Sequence, residues 1–428
     1  MDILFKNVTA VTMQKDKPVL QNANIGVKDG RITFAESKAS RTIDGTGKVL
    51  IPGLYNCHAH SPMTLLRGYG NDLRLEPWLQ DYVWPAEAKI KGIEGAVRSG
   101  ALLAIAEMIS SGTISFNDMY FYLPVIAQAV EESGVKANLS NGIFAFNPEG
   151  YDYSKQSEYE ETLDILKQHH KAAHGRIKAE ASIHGAYTSH PAAWEQVAAF
   201  AKENQLTMHV HLSETIVEHQ SSIDQHGLSP AVAFAKHGVF DVPAVAAHAC
   251  WVTDEDIEIL AKHGVSVAHN PVSNLKLASG IAPICKMMDK GINIALGTDG
   301  MASNNTHDLF EEIKIASILQ KCEQKDPTVL PALKVIEMAT VNGAKAQGRQ
   351  GGMIAEGLDA DLVLLDFDNP RQIPCFDPML SLAYSTTGRD VAMTLCQGKV
   401  LYENGEFVTI DIEKVKHHAK EIGLSLNQ

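Results

Sequence analysis

The stretch LIPGLYNCHAH at residues 50–60 joins a strand-like apolar run to two histidines that stand two positions apart. Side chains at positions i and i+2 of a β-strand lie on the same face, so His58 and His60 can bind one ion together. Cys57 and Ala59 then point to the opposite face. The stretch therefore predicts a strand that ends in a pair of metal ligands.

Three later strand-like runs supply the other candidate ligands. They are LTMHVHL with His211, AVAAHA with His248 and INIALGTD with Asp299. Imidazoles and a carboxylate suit zinc or iron(II), and water in an open position of such a site becomes a nucleophile near neutral pH. A lone histidine at a strand end is more often structural, but the joint pattern of five residues predicts hydrolytic chemistry. The pattern does not separate His248 from the direct ligands.

Between residues 53 and 352, strand-like runs alternate with stretches that carry apolar residues at helical spacing. The candidate strands are LIPGLYNCHAH, TISFNDM, VKANLSNG, IKAEASIH, LTMHVHL, AVAAHA, VSVAHN and INIALGTD. Eight units of this kind predict an α/β fold, a (β/α)8 TIM barrel whose functional residues lie at the carboxyl ends of the strands. Every candidate ligand falls at such an end.

The two ends of the chain have a different texture. Residues 1–52 and 353–428 contain alternating segments separated by Asp-Gly and similar turn signals, and neither end is large enough alone for a good core. We expect the two ends to meet in one small β-sandwich domain. The metal-dependent catalytic barrel of residues 53–352 would then be inserted between them.

The composition limits the classes of function. The chain has 428 residues, of which 45% are hydrophobic, and a formal net charge of −14. This charge disfavours a nucleic-acid or anionic-membrane partner, and a small neutral or zwitterionic substrate fits it better. The sequence lacks a secretory signal pattern and a membrane-spanning apolar run, and its six scattered cysteines include no CxxC. These features predict a cytoplasmic protein and leave the oligomeric state open, with a homo-oligomer among the alternatives.

Five segments carry a resemblance to a known family. They are PGLYNCHAHSPMTLLRG (52–68), HVHLSET (209–215), VAHNPVSNLKLASG (267–280), GTDGMASNN (297–305) and GLDADLVLLD (357–366). Along nearly its whole length the sequence resembles the amidohydrolase superfamily, in the branch of aminopurine nucleoside and triazine hydrolases. HSPMTLLRG followed by EPWL and VWPAE is most similar to the methylthioadenosine/S-adenosylhomocysteine deaminases.

The resemblance implies a role for each candidate ligand. His58, His60, His211 and Asp299 would bind the metal directly. His248 would lie close to the metal and hydrogen-bond the reacting water. Its role thus differs from that of the ligands, a distinction that the strand pattern alone leaves open.

Three further residues gain a role from the resemblance. Two-metal members usually carry a bridging lysine at the end of the fourth strand, so His184 at this position implies one divalent metal per chain, zinc with iron as the alternative. Glu214, just beyond a ligand strand, is placed to protonate a ring nitrogen while hydroxide attacks the adjacent carbon. Glu87 would receive the ribose hydroxyls, since a carboxylate can accept from two vicinal hydroxyls. His184 would contact the ribose or the 5′ tail.

One segment departs from the family pattern. Members that accept S-adenosylhomocysteine hold its amino-acid tail with arginines after the third strand, but NLSNGIFAFNPEGYDYSKQSEYEE contains none. Lys136 and Lys155 are the only nearby cations in the sequence, and lysine does not reproduce a planar bidentate contact. Phe144, Phe146 and Tyr151 favour a methylthio or 5′-deoxy end instead.

These features predict an enzyme that hydrolyses the 6-amino group of an adenine nucleoside, such as 5′-methylthioadenosine, 5′-deoxyadenosine or adenosine, with S-adenosylhomocysteine left open. Glu214, His248 and Asp299 would be its catalytic residues. The alternative is hydrolysis of a free aminated heterocycle, such as a triazine, pterin or guanine, which would not require Glu87. An inactive barrel kept as a binding or scaffold protein would need a broken ligand, and all of the ligands are intact.

Overall fold

The (β/α)8 barrel is confirmed by the computed structural model, which describes residues 2–35 and 38–426. Its eight strands correspond to the predicted runs. In chain order they are Leu54–His60, Thr113–Met119, Lys136–Ser140, Ile177–Ala179 continued by Ala181–Ile183, Met208–Leu212, Ala244–His248, Ser266–His269, and Asn293–Leu296 continued by Asp299–Gly300. The first strand is buried at every position, as expected of a parallel strand that helices cover on one side.

Hydrogen bonding divides the barrel strands between two five-stranded sheets. The chain passes from one sheet to the other inside the fourth strand, at Glu180, and inside the eighth strand, at residues 297–298. The Glu180 N–H donates to Leu139 O at 2.9 Å, and the Gly297 N–H donates to His269 O at 3.0 Å. Because the paired strands run parallel, their carboxyl ends meet at one rim.

Helices follow the barrel strands and cover them. The α-helices are Leu75–Pro77, Trp84–Gly92, Ala96–Ser110, Leu123–Ser133, Ser157–Asp164, Pro191–Glu203, Ile216–His226, Pro230–Lys236, Asp254–His263, Pro271–Lys276, Ile284–Asp289, Leu309–Gln324, Ala332–Ala339, Val341–Ala346, Pro378–Tyr384 and Ile412–Leu426, with shorter or wider turns at Ser61–Leu66, Trp78–Val83, Tyr153–Lys155, Ile165–His169, Ala172–Gly175, Ala186–Thr188 and Gly388–Asp390. Local sequence explains many of their ends: Thr253 and Asp256 form a capping box, and the left-handed Gly264 ends the same helix. No described helix is both long enough and apolar enough to cross a bilayer.

The two ends of the chain meet in a second sheet. Within residues 2–35 and 38–426 its nine strands are Ile3–Val11, Val19–Lys28, Arg31–Thr33, Arg41–Asp44, Lys48–Pro52, Leu362–Asp366, Val391–Cys396, Lys399–Glu403 and Glu406–Phe407. Lys48–Pro52 pairs antiparallel with Leu362–Asp366, and Ile3–Val11 pairs with three neighbours. Apolar residues from both ends, Phe5 and Leu362 among them, form a hydrophobic cluster separate from that of the barrel. The expected β-sandwich thus takes the form of one branched sheet, and the division into two domains stays a prediction.

Candidate metal centre and substrate pocket

Four of the predicted ligands meet at the carboxyl rim of the barrel. His58 and His60 come from the first strand, His211 from the fifth and Asp299 from the eighth. Asp299 Oδ1 lies 3.4 Å from His58 Nε2 and 3.2 Å from His60 Nε2, and the Nε2 atoms of His60 and His211 are 3.3 Å apart. All four residues are buried. Barrel closure therefore brings together side chains that are up to 241 positions apart in the sequence.

These donor atoms fit a divalent metal ion. The ligand atoms of His58, His60 and His211 lie within 4.8 Å of one another, and so do those of His58, His248 and Asp299. Burial lowers the pKa of His58 to about 4, which keeps its imidazole neutral, and the Nε2 atom of His248 has no hydrogen-bond partner among the described residues. Neutral imidazoles with a carboxylate form a donor set that zinc and iron prefer. Distance alone does not separate His248 from the ligands.

Backbone carbonyls hold two of the histidines. His60 Nδ1 lies 2.6 Å from the carbonyl oxygen of Met119, and His211 Nδ1 lies 2.6 Å from that of His184. A carbonyl oxygen can only accept a hydrogen bond, so each histidine donates from Nδ1. In the neutral ring the lone pair at Nε2 is then free to bind a metal. Burial acts to lower the pKa of His60, but Asp299 beside it raises this pKa to about 9, so a metal ion must displace a proton from this ring.

Two serines that were not predicted from the sequence hold Asp299. Ser273 Oγ donates to Asp299 Oδ2 at 2.6 Å, and Ser303 Oγ donates to the same atom at 2.9 Å. Burial acts to raise the pKa of Asp299, but the adjacent imidazoles of His58 and His60 outweigh it and hold this pKa well below its usual range. Asp299 is therefore ionised, as a metal ligand must be. Serine is too common in loops for the sequence to single out these two.

Left-handed backbone occurs at three strand ends of the site. The angle φ is 44° at Ser213, 74° at His248 and 63° at Asp299. Residues other than glycine seldom adopt such angles, and the exceptions concentrate at sites where a fold holds functional side chains. This strain marks the ends of the fifth, sixth and eighth strands as a functional edge.

His248 lies between the histidine ligands and Glu214. Its ring centroid is 5.3 Å from that of His58 and 5.5 Å from that of His211. Its Nε2 atom is 3.8 Å from Glu214 Oε2, and its Nδ1 atom is 2.8 Å from Oδ1 of Asn274. Asn270 Nδ2 lies 3.3 Å from the same Nδ1 atom, but the shorter contact is to the acceptor Asn274, which favours a proton on Nδ1. The Nε2 atom then offers a lone pair toward the pocket.

Glu214 follows the fifth strand and lines the pocket. Burial raises the pKa of its carboxyl, although the nearby His248 acts in the opposite direction. Ser279 Oγ donates to Glu214 Oε1 at 3.0 Å and leaves Oε2 directed at His248. A carboxyl group whose pKa is raised by burial can hold the proton that a general acid donates.

Glu218 holds the loop that carries Glu214. Its carboxylate accepts the backbone N–H groups of Ser213 at 3.1 Å and of Glu214 at 2.7 Å. Thr215 accepts the N–H of Glu218 at the start of the helix Ile216–His226. Glu218 was missed in the sequence, although Thr215-Ile-Val-Glu218 has the Ser/Thr-x-x-Glu spacing of a helix start and could have identified it.

The pocket above the metal centre has mainly apolar walls, which include Trp84 and Phe144, and one further carboxyl group, that of Glu87. Glu87 lies on the helix Trp84–Gly92, which follows the turn Trp78–Val83 in the segment between the first and second barrel strands. Burial raises the pKa of Glu87, and the neighbouring Tyr120 hydroxyl partly opposes this. Among the described residues, no lysine or arginine lines the pocket.

His184 lines the same pocket. Its ring centroid is 4.2 Å from that of Phe144, and its Nδ1 atom is 3.1 Å from the Thr188 hydroxyl. Burial lowers the pKa of His184 to about 3. The imidazole is therefore neutral near pH 7 and can form a hydrogen bond with a substrate without adding positive charge.

The structure separates the residues that were predicted near the 5′ end of a nucleoside. Phe144 lines the pocket, but Phe146 is 70% exposed, and neither Phe146 nor Tyr151 belongs to the lining. Lys155 is an exposed residue, and Lys136 begins the third strand at the opposite end of the barrel. Neither lysine is placed to contact a bound substrate.

Comparison with known proteins places the chain among related sequences. The amidohydrolase family model matches residues 49–401. A 5′-deoxyadenosine deaminase from Methanosarcina acetivorans is 43% identical over 424 residues, which cover 98% of this chain and 97% of that protein. A 5-methylthioadenosine/S-adenosylhomocysteine deaminase from Acetivibrio thermocellus is 42% identical over 432 residues, which cover 99% of each chain.

Solved structures show the same architecture. An adenosine deaminase from Xanthomonas campestris with bound zinc is 32% identical, superposes with a TM-score of 0.93, and is matched over 100% of this chain and 98% of its own. An atrazine chlorohydrolase from Arthrobacter aurescens complexed with zinc is 24% identical, with a TM-score of 0.88 over 98% of this chain and 100% of its own. The likeness to the atrazine chlorohydrolase shows a shared fold only.

Proposed function

Because the chain belongs to the amidohydrolase family, we propose that it removes the 6-amino group of adenine nucleosides by hydrolysis. The products are ammonia and the corresponding inosine analogue. The substrates are 5′-deoxyadenosine, 5′-methylthioadenosine and adenosine, a set supported by the names of the similar proteins. The observation that carries the proposal is the buried carboxyl of Glu214 beside the metal centre, since purine deamination needs an acid at that position.

The proposed cofactor is one divalent metal per chain, zinc, held by His58, His60, His211 and Asp299. A bound divalent metal would lower the pKa of a water molecule and make hydroxide available near neutral pH. A single ion is supported by His184, which occupies the end of the fourth strand where a second, bridging ion would require a lysine. Zinc is supported by the zinc in the related adenosine deaminase structure.

The side chains around this centre can carry the proton transfers. Glu214 donates its proton to N1 of the purine while the oxygen of water attacks C6, and the water proton passes to Asp299. The Nε2 atom of His248 accepts a hydrogen bond from the attacking water. Asp299 then protonates the 6-amino group, the C6–N bond breaks to release ammonia, and the hydroxyl proton of the intermediate returns to Glu214.

The pocket suits a nucleoside with an uncharged 5′ end. Glu87 is proposed to accept hydrogen bonds from the two ribose hydroxyls, and His184 from its place in the lining is proposed to contact the ribose or its 5′ substituent. Phe144 and Trp84 provide apolar surface, and no cation of the described residues stands in the lining to hold a carboxylate. S-Adenosylhomocysteine is therefore expected to be a poor substrate.

The experiment that tests this function is ammonia release by the zinc-loaded protein from six compounds. They are 5′-deoxyadenosine, 5′-methylthioadenosine, adenosine, S-adenosylhomocysteine, adenine and guanine. We expect turnover of the first three, with S-adenosylhomocysteine slower. A metal-loaded protein that releases no ammonia from any nucleoside would contradict the proposal, and turnover of guanine alone would favour a base hydrolase.

We further propose a cytoplasmic location and a division into a barrel domain, residues 53–352, and a composite domain, residues 1–52 and 353–428. The location is supported by the cysteines, all of which are free thiols in the structure. The division is supported by the separate hydrophobic cluster of the nine-stranded sheet.

A further inference from the structure

His58 is in direct contact with a second buried histidine, His209. The Nε2 atom of His209 lies 2.9 Å from the Nδ1 atom of His58, and the two rings meet at an angle of 83°. Both residues are fully buried. Because side chains two positions apart in a strand share a face, His209 points into the barrel on the same side as His211.

This contact sets His58 apart from the other two histidine ligands. His60 and His211 donate from Nδ1 to backbone carbonyl oxygens, which no side-chain substitution removes. The Nδ1 atom of His58 instead faces the side chain of His209. The orientation of one ligand is therefore under the control of a replaceable residue.

The direction of the hydrogen bond follows from metal binding. If Nε2 of His58 binds a metal, the proton of its neutral imidazole lies on Nδ1 and is donated to His209 Nε2. The proton of His209 then lies on its own Nδ1 atom. That atom is 3.7 Å from Glu180 Oε2, which is longer than a hydrogen bond but close enough for electrostatic attraction.

Glu180 is held in one position by two asparagines. Asn117 Nδ2 donates to its two carboxyl oxygens at 3.0 and 2.9 Å, and Asn138 Nδ2 donates to one of them at 2.7 Å. The residue is 1% exposed and occupies the break in the fourth strand. The contacts that run from His58 to His209 therefore end at a carboxyl group whose position is fixed.

We propose that His209, supported by Glu180, orients His58 and thereby sets the affinity of the protein for its metal. Both are positioning residues, and neither lines the substrate pocket. The inference rests on the ligand set of the proposed function. It extends that set to residues that no comparison assigns.

The test compares His209→Leu with His209→Gln. A glutamine side chain can place an acceptor oxygen near the former Nε2 atom, whereas leucine cannot. We expect the zinc dissociation constant, measured by competition with a chelator of known affinity, to rise about 10- to 100-fold in His209→Leu and by less than about 3-fold in His209→Gln. Glu180→Gln should weaken zinc binding less than His209→Leu does.

His269→Leu is the matched control. His269 is also a fully buried histidine of a barrel strand, and neither of its ring nitrogens has a hydrogen-bond partner among the described residues. Its replacement should leave zinc affinity unchanged. Thermal unfolding of the metal-free variants separates a loss of zinc affinity from a loss of folding. If His209→Leu does not fold, His209→Gln and Glu180→Gln carry the test.

Native zinc affinity in His209→Leu would overturn the inference. Equal losses in the Leu and Gln variants would also overturn it, because they would point to packing rather than to the acceptor atom. Zinc affinity is measured without a nucleoside. A protein that fails to deaminate nucleosides but follows this pattern would therefore refute the proposed function alone.

Discussion

The two ends of the barrel differ in whether their buried polar groups have partners within the protein. At the amino end, Lys136 is paired with Asp361 at 2.5 Å and with Asp359 at 2.9 Å, and its side chain is 4% exposed. At the carboxyl end, the Nε2 atoms of His60 and His211 approach to 3.3 Å, although neither can satisfy the other while both keep lone pairs. The first arrangement is complete as it stands, and the second requires a ligand.

This difference distinguishes buried polar groups that stabilise the fold from buried polar groups that bind a ligand. The carboxylates that pair with Lys136 immediately precede the strand Leu362–Asp366, so this ion pair joins the barrel to the nine-stranded sheet. Buried polar atoms that lack a partner are uncommon in proteins and call for an explanation, which for the Nε2 atom of His58 is a bound metal. Substitutions at the two ends should therefore affect different properties.

The largest effect on activity is expected for His211→Ala. Loss of a direct ligand should reduce deamination by more than about 100-fold, beyond what the loss of an outer partner produces, and should remove bound zinc. The measurements are zinc per chain by elemental analysis and ammonia release. His237→Ala, which alters a histidine paired with Glu195 away from the rim, is the control and should retain both. Full zinc content in His211→Ala would contradict the assigned ligand set.

Glu214→Gln should separate metal binding from chemistry. The amide cannot donate an acidic proton to the purine, so kcat should fall about 100- to 10,000-fold. Zinc content should stay at one per chain because Glu214 is not a ligand. Single-turnover rates and elemental analysis measure the two properties. A fully active Glu214→Gln protein would exclude this residue as the acid.

Glu87→Gln should selectively lower the activity of the enzyme on nucleosides. Replacing a charged acceptor with a neutral one should lower kcat/KM for 5′-deoxyadenosine about 10- to 100-fold. Any activity on adenine, which has no ribose, should change little. Glu94→Gln alters an exposed glutamate just after the same helix and is the control. Equal losses on nucleoside and base would show that Glu87 does not contact the ribose.

Lys136→Met should have the smallest effect on activity and a large effect on stability. Removing one partner of a buried ion pair leaves uncompensated charge and should lower the free energy of unfolding by about 3–5 kcal/mol. The folded enzyme should keep its kcat/KM. Urea unfolding and steady-state kinetics test the two statements, with Lys334→Met, at a half-exposed ion pair, as the control. A loss of kcat/KM in folded Lys136→Met would show that the two ends are coupled.

Local patterns predicted the barrel well. Short apolar runs between helical stretches marked the eight strands. A strand of a parallel sheet is buried, so its apolar residues form a nearly continuous run. The histidines and the aspartate at the strand ends marked the rim, because the carboxyl ends of parallel strands must meet. The break of the fourth strand at Glu180 had no such signal, since it depends on how two sheets join.

Contacts between distant residues were beyond reach of the sequence. His209 and His58 are 151 positions apart, and Ser273 reaches Asp299 from a different strand end. Such contacts depend on the closure of the barrel and leave no local pattern. The direction of the loop that carries Phe146 likewise depends on tertiary packing, so its aromatic residues could be identified but not placed.

Stepwise addition of zinc to chelator-treated protein, with ammonia release from 5′-deoxyadenosine measured after each addition, tests the central claim most directly. If the carboxyl rim is a single-metal hydrolytic centre, the protein releases no ammonia without metal. Its activity then rises linearly with added zinc and reaches a plateau at one zinc per chain. Full activity in the metal-free protein, or no ammonia at any zinc level, would contradict it.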